Sequence, residues 1–423
     1  MIRTGNVEEM AGQGGIADPR LGGHFRVNAG GALLVGGRTA DELVSQAGGT
    51  PLFVYDRAVI DAKIAALRAA MPGSVELHYA VKANPYAPLL AHVARQVDGL
   101  DVASGGELGE ALASGMDAPR ISFAGPGKRD EELEAAIRAG VTLNIESEGE
   151  LERTASIARQ IGRTLAAAVR VNPPFDLKGS GMRMGGGAKP FGVDADRVPS
   201  MLRRIGELGA DFQGFHVFAG SQNLNVDAIV EAQTQTLALV ADLARAAPAP
   251  PPVVNMGGGF GLPYFPGERP LDIERIGNTL GESLSARPDI LRDTRFVLEL
   301  GRYIVGDGGV YLTRVVDRKV SGGETFLITD GGLHHQLAAS GNFGTVIRRN
   351  YPLVHAAQAA APATERVNVV GCLCTPLDRL GEKLMLPRAD VGDLVAVFMA
   401  GAYGRTASPE RFLGHPAPRE ILI

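Results

Sequence analysis

A lysine at the end of an apolar, strand-like stretch is the first candidate for chemistry. Residues 78–81 read His-Tyr-Ala-Val and lead directly into Lys82. Such a position buries the stem of the side chain and partly desolvates the amine, which lowers its pKa and makes it a nucleophile toward carbonyl groups. A surface lysine at a strand end fits the same segment equally well, so Lys82 alone does not decide the function.

A run of glycines offers a second kind of site. Gly257, Gly258 and Gly259 follow another strand-like segment, and consecutive glycines let backbone N–H groups close around a phosphate. Tight turns use the same residues. The run lacks the Gly-x-Gly-x-x-Gly spacing at a first strand, which disfavours a dinucleotide site.

An acid and a cation lie close together in residues 298–302, which read Leu-Glu-Leu-Gly-Arg. Glu299 and Arg302 form either part of a polar site or a buried ion pair of the scaffold. The two cysteines, Cys372 and Cys374, have no second pair to complete a zinc site or a disulfide framework, and we expect both to be reduced.

Adjacent histidines, His334 and His335, raise the question of a metal. No set of Cys, Asp or Glu residues at ligand spacing accompanies them, so the sequence predicts no metal site.

Strand-like segments that alternate with stretches of helical spacing must position these residues. Eight strands with intervening helices over roughly 250 residues are typical of a closed parallel (β/α)8 barrel rather than an open doubly wound sheet. Polar and glycine-rich clusters follow the strands, so we expect the chemistry at one rim of the barrel. The eight segments are 76–81, 99–102, 120–123, 141–145, 165–171, 213–218, 253–256 and 295–300.

Beyond Arg302 the pattern changes to alternating strands, at 310–316, 324–329, 367–371 and 394–398. This predicts a mainly antiparallel β domain, to which residues 25–35 contribute a strand. The fold class is α/β. We divide the chain into an N-terminal segment, 1–50, that joins the β domain, the barrel at 51–304, and the C-terminal β domain at 305–423.

Composition limits the classes of protein to which the chain can belong. The 423 residues are 45% hydrophobic and 21% charged, enough for two folded domains. A net charge of −5 gives no reason to expect nucleic-acid binding. Residues 1–20 lack the apolar core of a signal peptide, and no apolar run reaches the length of a membrane span. We therefore expect a cytoplasmic protein.

Taken in order, these motifs resemble those of the fold-type III pyridoxal-phosphate decarboxylases, from about Pro51 to Tyr403. That group includes diaminopimelate, ornithine and arginine decarboxylases and shares its barrel with alanine racemase. The resemblance implies pyridoxal 5'-phosphate as cofactor, an amino acid as substrate and a homodimer whose two chains share each active site.

The resemblance also implies roles for single residues. Lys82 would hold the cofactor as an internal aldimine, Glu299 would face its pyridine nitrogen, and Arg302 would bind a phosphate or a substrate carboxylate. Cys374 and Asp378 match the family segment that reaches into the neighbouring subunit. The implied cofactor contacts are Lys82, Phe218, Ser221, Gly257, Gly258, Gly259, Glu299, Gly301, Arg302 and Tyr403, and the implied substrate contacts are Arg302, Thr375, Asp378 and Tyr403.

These roles favour decarboxylation over racemisation. A carboxylate at the pyridine nitrogen keeps it protonated, so the ring accepts the electrons released when carbon dioxide leaves. Alanine racemase-like enzymes place an arginine there. Cys374 is then the acid that returns a proton to the carbanion carbon.

The sequence departs from the family pattern in two places. Phe218 occupies the position of a histidine that stacks on the cofactor ring in many relatives, and His216 lies two residues earlier, so either ring could stack. Thr375 and Pro376 replace the glutamate that helps diaminopimelate decarboxylases to read the distal end of their substrate. The segment 330–344 is longer than its family counterpart, and we expect a rebuilt distal pocket.

These departures resemble a side branch that acts in secondary metabolism and exopolysaccharide-associated clusters, including a decarboxylase of carrier-protein-bound glutamyl groups. Lys189, Arg348 and Arg349 would then either meet a phosphopantetheine phosphate or an acidic carrier, or form solvated basic loops. The leading hypothesis is decarboxylation of an amino acid, free or attached to an acyl carrier protein. The alternatives are diaminopimelate decarboxylation in lysine biosynthesis, amino-acid racemisation and a non-catalytic family homologue.

Overall fold

A computed structural model describes residues 21–342 and 348–423. Residues 1–20, for which the sequence predicts no signal peptide, lie outside the described residues. Part of the segment 330–344 does so too. The chain opens with a small antiparallel sheet, followed by a helix and a strand. These elements are β1 (Arg26–Val27), β2 (Leu33–Val35), β3 (Arg38–Thr39), α1 (Ala40–Ala47) and β4 (Leu52–Tyr55).

The predicted barrel is confirmed. The strands are β5 (Val75–Ala80), β6 (Gly99–Val102), β7 (Ile121–Phe123), β8 (Thr142–Ile145), β9 (Ala166–Asn172), β10 (Met182–Arg183), β11 (Val193–Asp194), β12 (Asp211–Val217), β13 (Gly220–Ser221), β14 (Val253–Gly258) and β15 (Arg295–Leu300). β10 and β13 form a separate antiparallel pair, and the other nine strands form one parallel sheet, in which the short β11 lies beside β9. It closes because β15 pairs with β5 and β8 pairs with β9.

Helices alternate with the barrel strands. Several begin at a side-chain cap: Ser104, Ser147 and Asn225 each accept a hydrogen bond from a backbone N–H of the first turn. The helices are α2 (Arg57–Ala70), α3 (Ala87–Ala94), α4 (Gly105–Ala113), α5 (Asp130–Ala139), α6 (Glu148–Gln160), α7 (Val198–Glu207), α8 (Val226–Ala244), α9 (Ile273–Ser285) and α10 (Arg302–Val305).

The β domain follows α10 directly. Its strands are β16 (Gly309–Ser321), β17 (Glu324–Thr329), β18 (Leu353–His355), β19 (Glu365–Val370), β20 (Arg379–Leu386), β21 (Leu394–Val397) and β22 (Arg419–Leu422). Most pairs are antiparallel, as predicted; β17 with β19 and β22 with β4 are parallel. The long β16 runs through the middle of the sheet.

The N-terminal part of the chain differs from the prediction in detail. Residues 25–35 form their own three-stranded sheet with β3, and β4 is the N-terminal strand that pairs with β16. Leu52–Tyr55 is fully apolar or aromatic and buried, because it lies inside the β-domain sheet. The four residues Leu52–Tyr55, which the sequence division assigns to the barrel, thus pair with the other domain.

Among the described helices, none combines the length and the hydropathy needed to cross a membrane.

Candidate active site

Lys82 and Glu299 meet at the rim of the barrel. Lys82 lies in the 3-10 turn Val81–Ala83 that ends β5, and Glu299 lies on the neighbouring strand β15. The Lys82 Nζ donates to Glu299 Oε1 at 3.1 Å. Glu299 is buried, whereas 42% of the Lys82 side chain is exposed. The two predicted residues therefore form an ion pair that opens toward the rim on the lysine side.

The charges of this pair stabilise each other. Burial alone disfavours both charged forms, but the Glu299 carboxylate outweighs it and raises the pKa of Lys82 above its ordinary value. Lys82 and His216 likewise hold the pKa of Glu299 well below its usual range despite burial. The shift of Lys82 is opposite to the direction that its sequence position predicts: desolvation is the largest single effect, but the interactions with Glu299 and Tyr403 together outweigh it. Lys82 must lose its proton before it can act as a nucleophile.

His216 fixes the second oxygen of the same carboxylate. Its Nε2 donates to Glu299 Oε2 at 3.0 Å, and both side chains are buried. The Phe218 ring lies 5.0 Å from Lys82 Nζ and is tilted by 58° to the His216 ring. Phe218 therefore flanks the lysine, while His216 holds the carboxylate.

Glycines allow the chain to pass close to the backbone of Glu299 on β15 and of Gly220 on β13. A Cβ at Gly258 would lie 2.3 Å from the backbone oxygen of Glu299. Gly259 has φ +79°, and a Cβ there would lie 2.7 Å from the backbone oxygen of Gly220. Any side chain at these positions would displace the backbone. The run Gly257–Gly259 is therefore a close turn against β13 and β15, as a phosphate-binding loop requires.

Arg302 is the cation of the site. Its guanidinium lies 4.6 Å from the Tyr403 ring centroid, and its Nη1 donates to the Tyr264 hydroxyl at 3.1 Å. Among the residues that the structure describes, the buried Nε of Arg302 has no acceptor. A buried guanidinium with an unsatisfied N–H is suited to bind an anion.

Most of the predicted cofactor-binding residues line one pocket. Eight predicted residues line it together with four others that the sequence did not single out. The lining residues are Ala80, Lys82, Phe218, Ser221, Gly259, Phe260, Glu299, Leu300, Gly301, Arg302, Tyr303 and Tyr403. Tyr403 comes from the β domain; its backbone N–H donates to Ala83 at 2.8 Å.

Unlike Tyr403, the other predicted residues of the β domain, Cys374, Thr375 and Asp378, do not line this pocket within their own chain. Cys374 is exposed, and both cysteines lie in the turn after β19 rather than on a strand. Asp378 is buried, and its two oxygens accept the backbone N–H groups of Leu333 at 2.7 Å and Leu373 at 2.9 Å. In its own chain Asp378 thus holds two loops together.

Two of the three basic residues proposed from the sequence, Arg348 and Arg349, have partners in the protein. Arg348 donates to the backbone oxygens of Ser340 and Arg379. Arg349 pairs with Glu268 at 2.8 Å and lies 3.7 Å from the Phe265 ring centroid. Both arginines therefore have partners on their own chain.

Two contributors were missed by sequence reasoning. His216 was considered only as a stacking residue, and its hydrogen bond to Glu299 was missed because β12 and β15 are separated by β14 in the barrel. Tyr264, the partner of Arg302, gave no signal in the sequence.

The residues present fit pyridoxal phosphate. An accessible lysine, a buried ionised carboxylate, a glycine turn without room for side chains and an unsatisfied guanidinium N–H meet in one pocket. The family described as pyridoxal-dependent decarboxylase, pyridoxal binding domain, matches residues 57–306. The chain belongs to this family, and it is a pyridoxal-phosphate-dependent carboxy-lyase.

Individual relatives agree. The L-glutamyl-(BtrI acyl-carrier protein) decarboxylase of Niallia circulans is 38% identical over 379 residues, which are 88% of each chain. The diaminopimelate decarboxylase of Methanothermobacter thermautotrophicus is 32% identical and covers 94% of this chain and 92% of its own. The crystal structure of the diaminopimelate decarboxylase from M. jannaschii superposes with a TM-score of 0.84 at 25% identity, over 94% of this chain and 92% of that one. The predicted fold, cofactor and enzyme class are confirmed.

Proposed function

We propose that the enzyme removes the α-carboxylate of an amino acid whose distal end is derivatised, with a side-chain thioester to an acyl carrier protein as the leading case. A free α-carboxylate is required, so the carrier must be attached at the other end of the amino acid. The observation that supports decarboxylation most directly is the ionised Glu299 carboxylate, which His216 and Lys82 hold in place.

Pyridoxal phosphate, when bound, supplies the electron sink for the electron pair released with carbon dioxide. Lys82 would hold the cofactor, and Glu299 would provide the negative charge at its ring nitrogen. Ser221, the glycines of Gly257–Gly259 and Tyr403 would bind its phosphate, and Phe218 would stack on the ring. Arg302 would bind an anion at the unsatisfied Nε.

Cys374 would supply the proton that replaces carbon dioxide, from its Sγ, in the active site of a partner subunit. In its own chain the thiol is exposed and absent from the lining of the Lys82 pocket. In a homodimer with shared sites, the exposed thiol of one chain would reach the Lys82 pocket of the other. Asp378 would position the loop that carries the thiol.

The substrate assignment rests on the turn 374–377. Thr375 Oγ1 accepts the Leu377 N–H at 3.3 Å, and Thr375 with Pro376 brings no carboxylate to this turn. A substrate with a distal ammonium group would lack a natural partner here. The similarity to the carrier-linked glutamyl decarboxylase supports the same choice.

Diaminopimelate decarboxylation is the second candidate. The 32% identity and near-complete coverage by the archaeal diaminopimelate decarboxylase favour it.

Carbon dioxide release separates the candidates. We would assay the cofactor-loaded enzyme on diaminopimelate, lysine, ornithine, glutamate and glutamyl thioesters of a carrier protein. Turnover of the thioester with none of the free amino acids supports the proposal, and turnover of diaminopimelate supports the second candidate. Lys82→Ala should abolish release from every substrate, while the exposed Lys319→Ala on β16 should behave as wild type.

A further inference from the structure

A second cluster of reactive side chains lies in the β domain, outside the Lys82 pocket. His334, Cys372 and His415 come from three separate loops. One ligand-capable atom from each lies within 4.8 Å of the other two. His334 is fully buried, and Cys372 and His415 are half-buried. Sequence spacing predicts no metal site here because the loops converge only in the folded chain.

His334 is the unusual member of this cluster. Both of its ring nitrogens are buried, and among the described residues neither has a hydrogen-bond partner. Leaving buried polar atoms unpaired is costly, so such a group calls for an explanation. The adjacent His335 gives the contrast: its Nδ1 lies 3.1 Å from the Tyr311 hydroxyl and its Nε2 lies 3.0 Å from the Pro416 oxygen. His335 is satisfied, whereas His334 has two unpartnered nitrogens, and one ligand atom of this ring lies in the cluster.

The distances suit a tetrahedral ion. Zinc bonds of about 2.0–2.1 Å to nitrogen and about 2.3 Å to sulfur place neighbouring ligand atoms roughly 3.5 Å apart. Cys372 Sγ already lies 3.7 Å from either ring nitrogen of His415. The His334 ligand atom lies within 4.8 Å of the other two, so the cluster would contract on binding an ion.

We infer that His334, Cys372 and His415 bind a divalent transition-metal ion of the zinc type. Two imidazoles and one thiolate are ligands that zinc prefers, and three protein ligands leave the fourth position to water or another donor. Binding replaces the S–H bond of Cys372 with a metal–sulfur bond, and the proton goes to solvent.

Asp378 supports the two loops that carry His334 and Cys372. Its carboxylate binds the N–H groups of Leu333 and Leu373, each the direct neighbour of a proposed ligand. A Cβ at Gly332 or Gly371 would lie 2.2 Å from this carboxylate, so both loops wrap tightly around it. Such support holds metal ligands in place before the ion arrives. The ion would also link His415 to the loop that carries Cys374.

Cobalt(II) provides the test. Metal-stripped full-length enzyme carrying its cofactor would be titrated with Co²⁺ and then with Zn²⁺. We expect one Co²⁺ per chain, the intense visible bands of tetrahedral cobalt, a near-ultraviolet thiolate band, and displacement by Zn²⁺. Cys372→Ser should lose the thiolate band, and His415→Ala should weaken binding at least about tenfold. Cys374→Ser, altered only two residues away, should keep the wild-type spectrum.

Thermal unfolding gives an independent readout. Zn²⁺ should raise the melting temperature of the wild type and of Cys374→Ser, because a ligand of the folded state stabilises it. It should leave Cys372→Ser and His415→Ala unchanged. The inference is overturned if the wild type binds no stoichiometric Co²⁺, or if both variants bind it as tightly as the wild type. The partly exposed ligands were chosen because His334→Ala, at a fully buried position, would risk misfolding.

Discussion

His216 Nε2 donates to Glu299 Oε2 at 3.0 Å, on the side of the carboxylate opposite Lys82. The imidazole thereby fixes the orientation of a buried negative charge, although His216 itself does not line the pocket. Glu299 is held by Lys82 and His216, so in its proposed role it would need no reorganisation to face the ring nitrogen of the cofactor.

Glu299→Gln should therefore remove the charge while keeping the shape. We expect the rate of carbon dioxide release to fall at least about 100-fold, because a preorganised electrostatic partner is lost. The measurement is kcat together with cofactor content of the purified protein. Glu282→Gln, on the exposed face of α9, is the matched control. A Glu299→Gln enzyme with full cofactor content and undiminished kcat would contradict the role of this carboxylate.

Gly258→Ala should weaken cofactor binding. The new methyl group would meet the Glu299 backbone oxygen at 2.3 Å and the Leu300 side chain at 2.6 Å, so the turn must move away from β15. We expect a rise of at least about tenfold in the dissociation constant of pyridoxal phosphate, measured by fluorescence titration, since misplaced phosphate donors lose their hydrogen bonds. Gly149→Ala, in helix α6 with open space around it, should leave the constant unchanged.

His78 should make stability depend on pH inside the barrel. Burial would lower its pKa, but Asp101 at 3.4 Å and Glu76 at 3.7 Å raise the pKa to about 9 from 6.5. A pKa raised on folding stabilises the protein fully below pH 6.5, and this contribution disappears as the pH rises through 9. The loss should be on the order of 2–3 kcal/mol, from the size of the shift.

Urea unfolding between pH 6 and 10 measures this loss. In His78→Gln the same fall should be largely absent. The half-buried His92 on α3, which pairs with Asp61 on α2, provides a His92→Gln control in which the fall should persist because His78 is intact. Equal profiles for wild type and His78→Gln would refute the prediction.

Subunit complementation tests the shared site. Lys82→Ala and Cys374→Ser should each be nearly inactive, for different reasons. If Cys374 acts in the partner's pocket, a mixed dimer has one intact site, and an equal mixture of subunits should recover about a quarter of wild-type activity. No recovery after mixing, with mixed dimers demonstrated by tagged subunits, would place both residues in the same chain's site.

The barrel and its rim were predictable because they follow local rules. Short apolar strands, helical spacing and glycine clusters locate Lys82, Gly257–Gly259 and Glu299 without any long-range information. The pKa direction of Lys82 was not predictable from its own strand, since the deciding charge lies on β15, the last strand of the barrel.

Long-range convergence accounts for the other misses. Tyr264 joins Arg302 across a loop of irregular structure, and Asp378 binds two loops that are far apart in sequence. Leu52–Tyr55 pairs with β16 and β22, which follow it by hundreds of residues, so its neighbours in sequence give no hint of the sheet it joins.

Tyr403 belongs to the β domain, yet its N–H binds Ala83, one residue after Lys82, and its ring covers Arg302. Asn84 adds a second tie, from its side-chain amide to the Gly401 oxygen at 2.9 Å. The barrel segment expressed by itself would thus lack one wall of the pocket and the hydrogen bonds that fix the lysine turn. A chimaera that joins the barrel of one relative to the β domain of another should be active only when the Lys82 turn and Tyr403 come from the same relative.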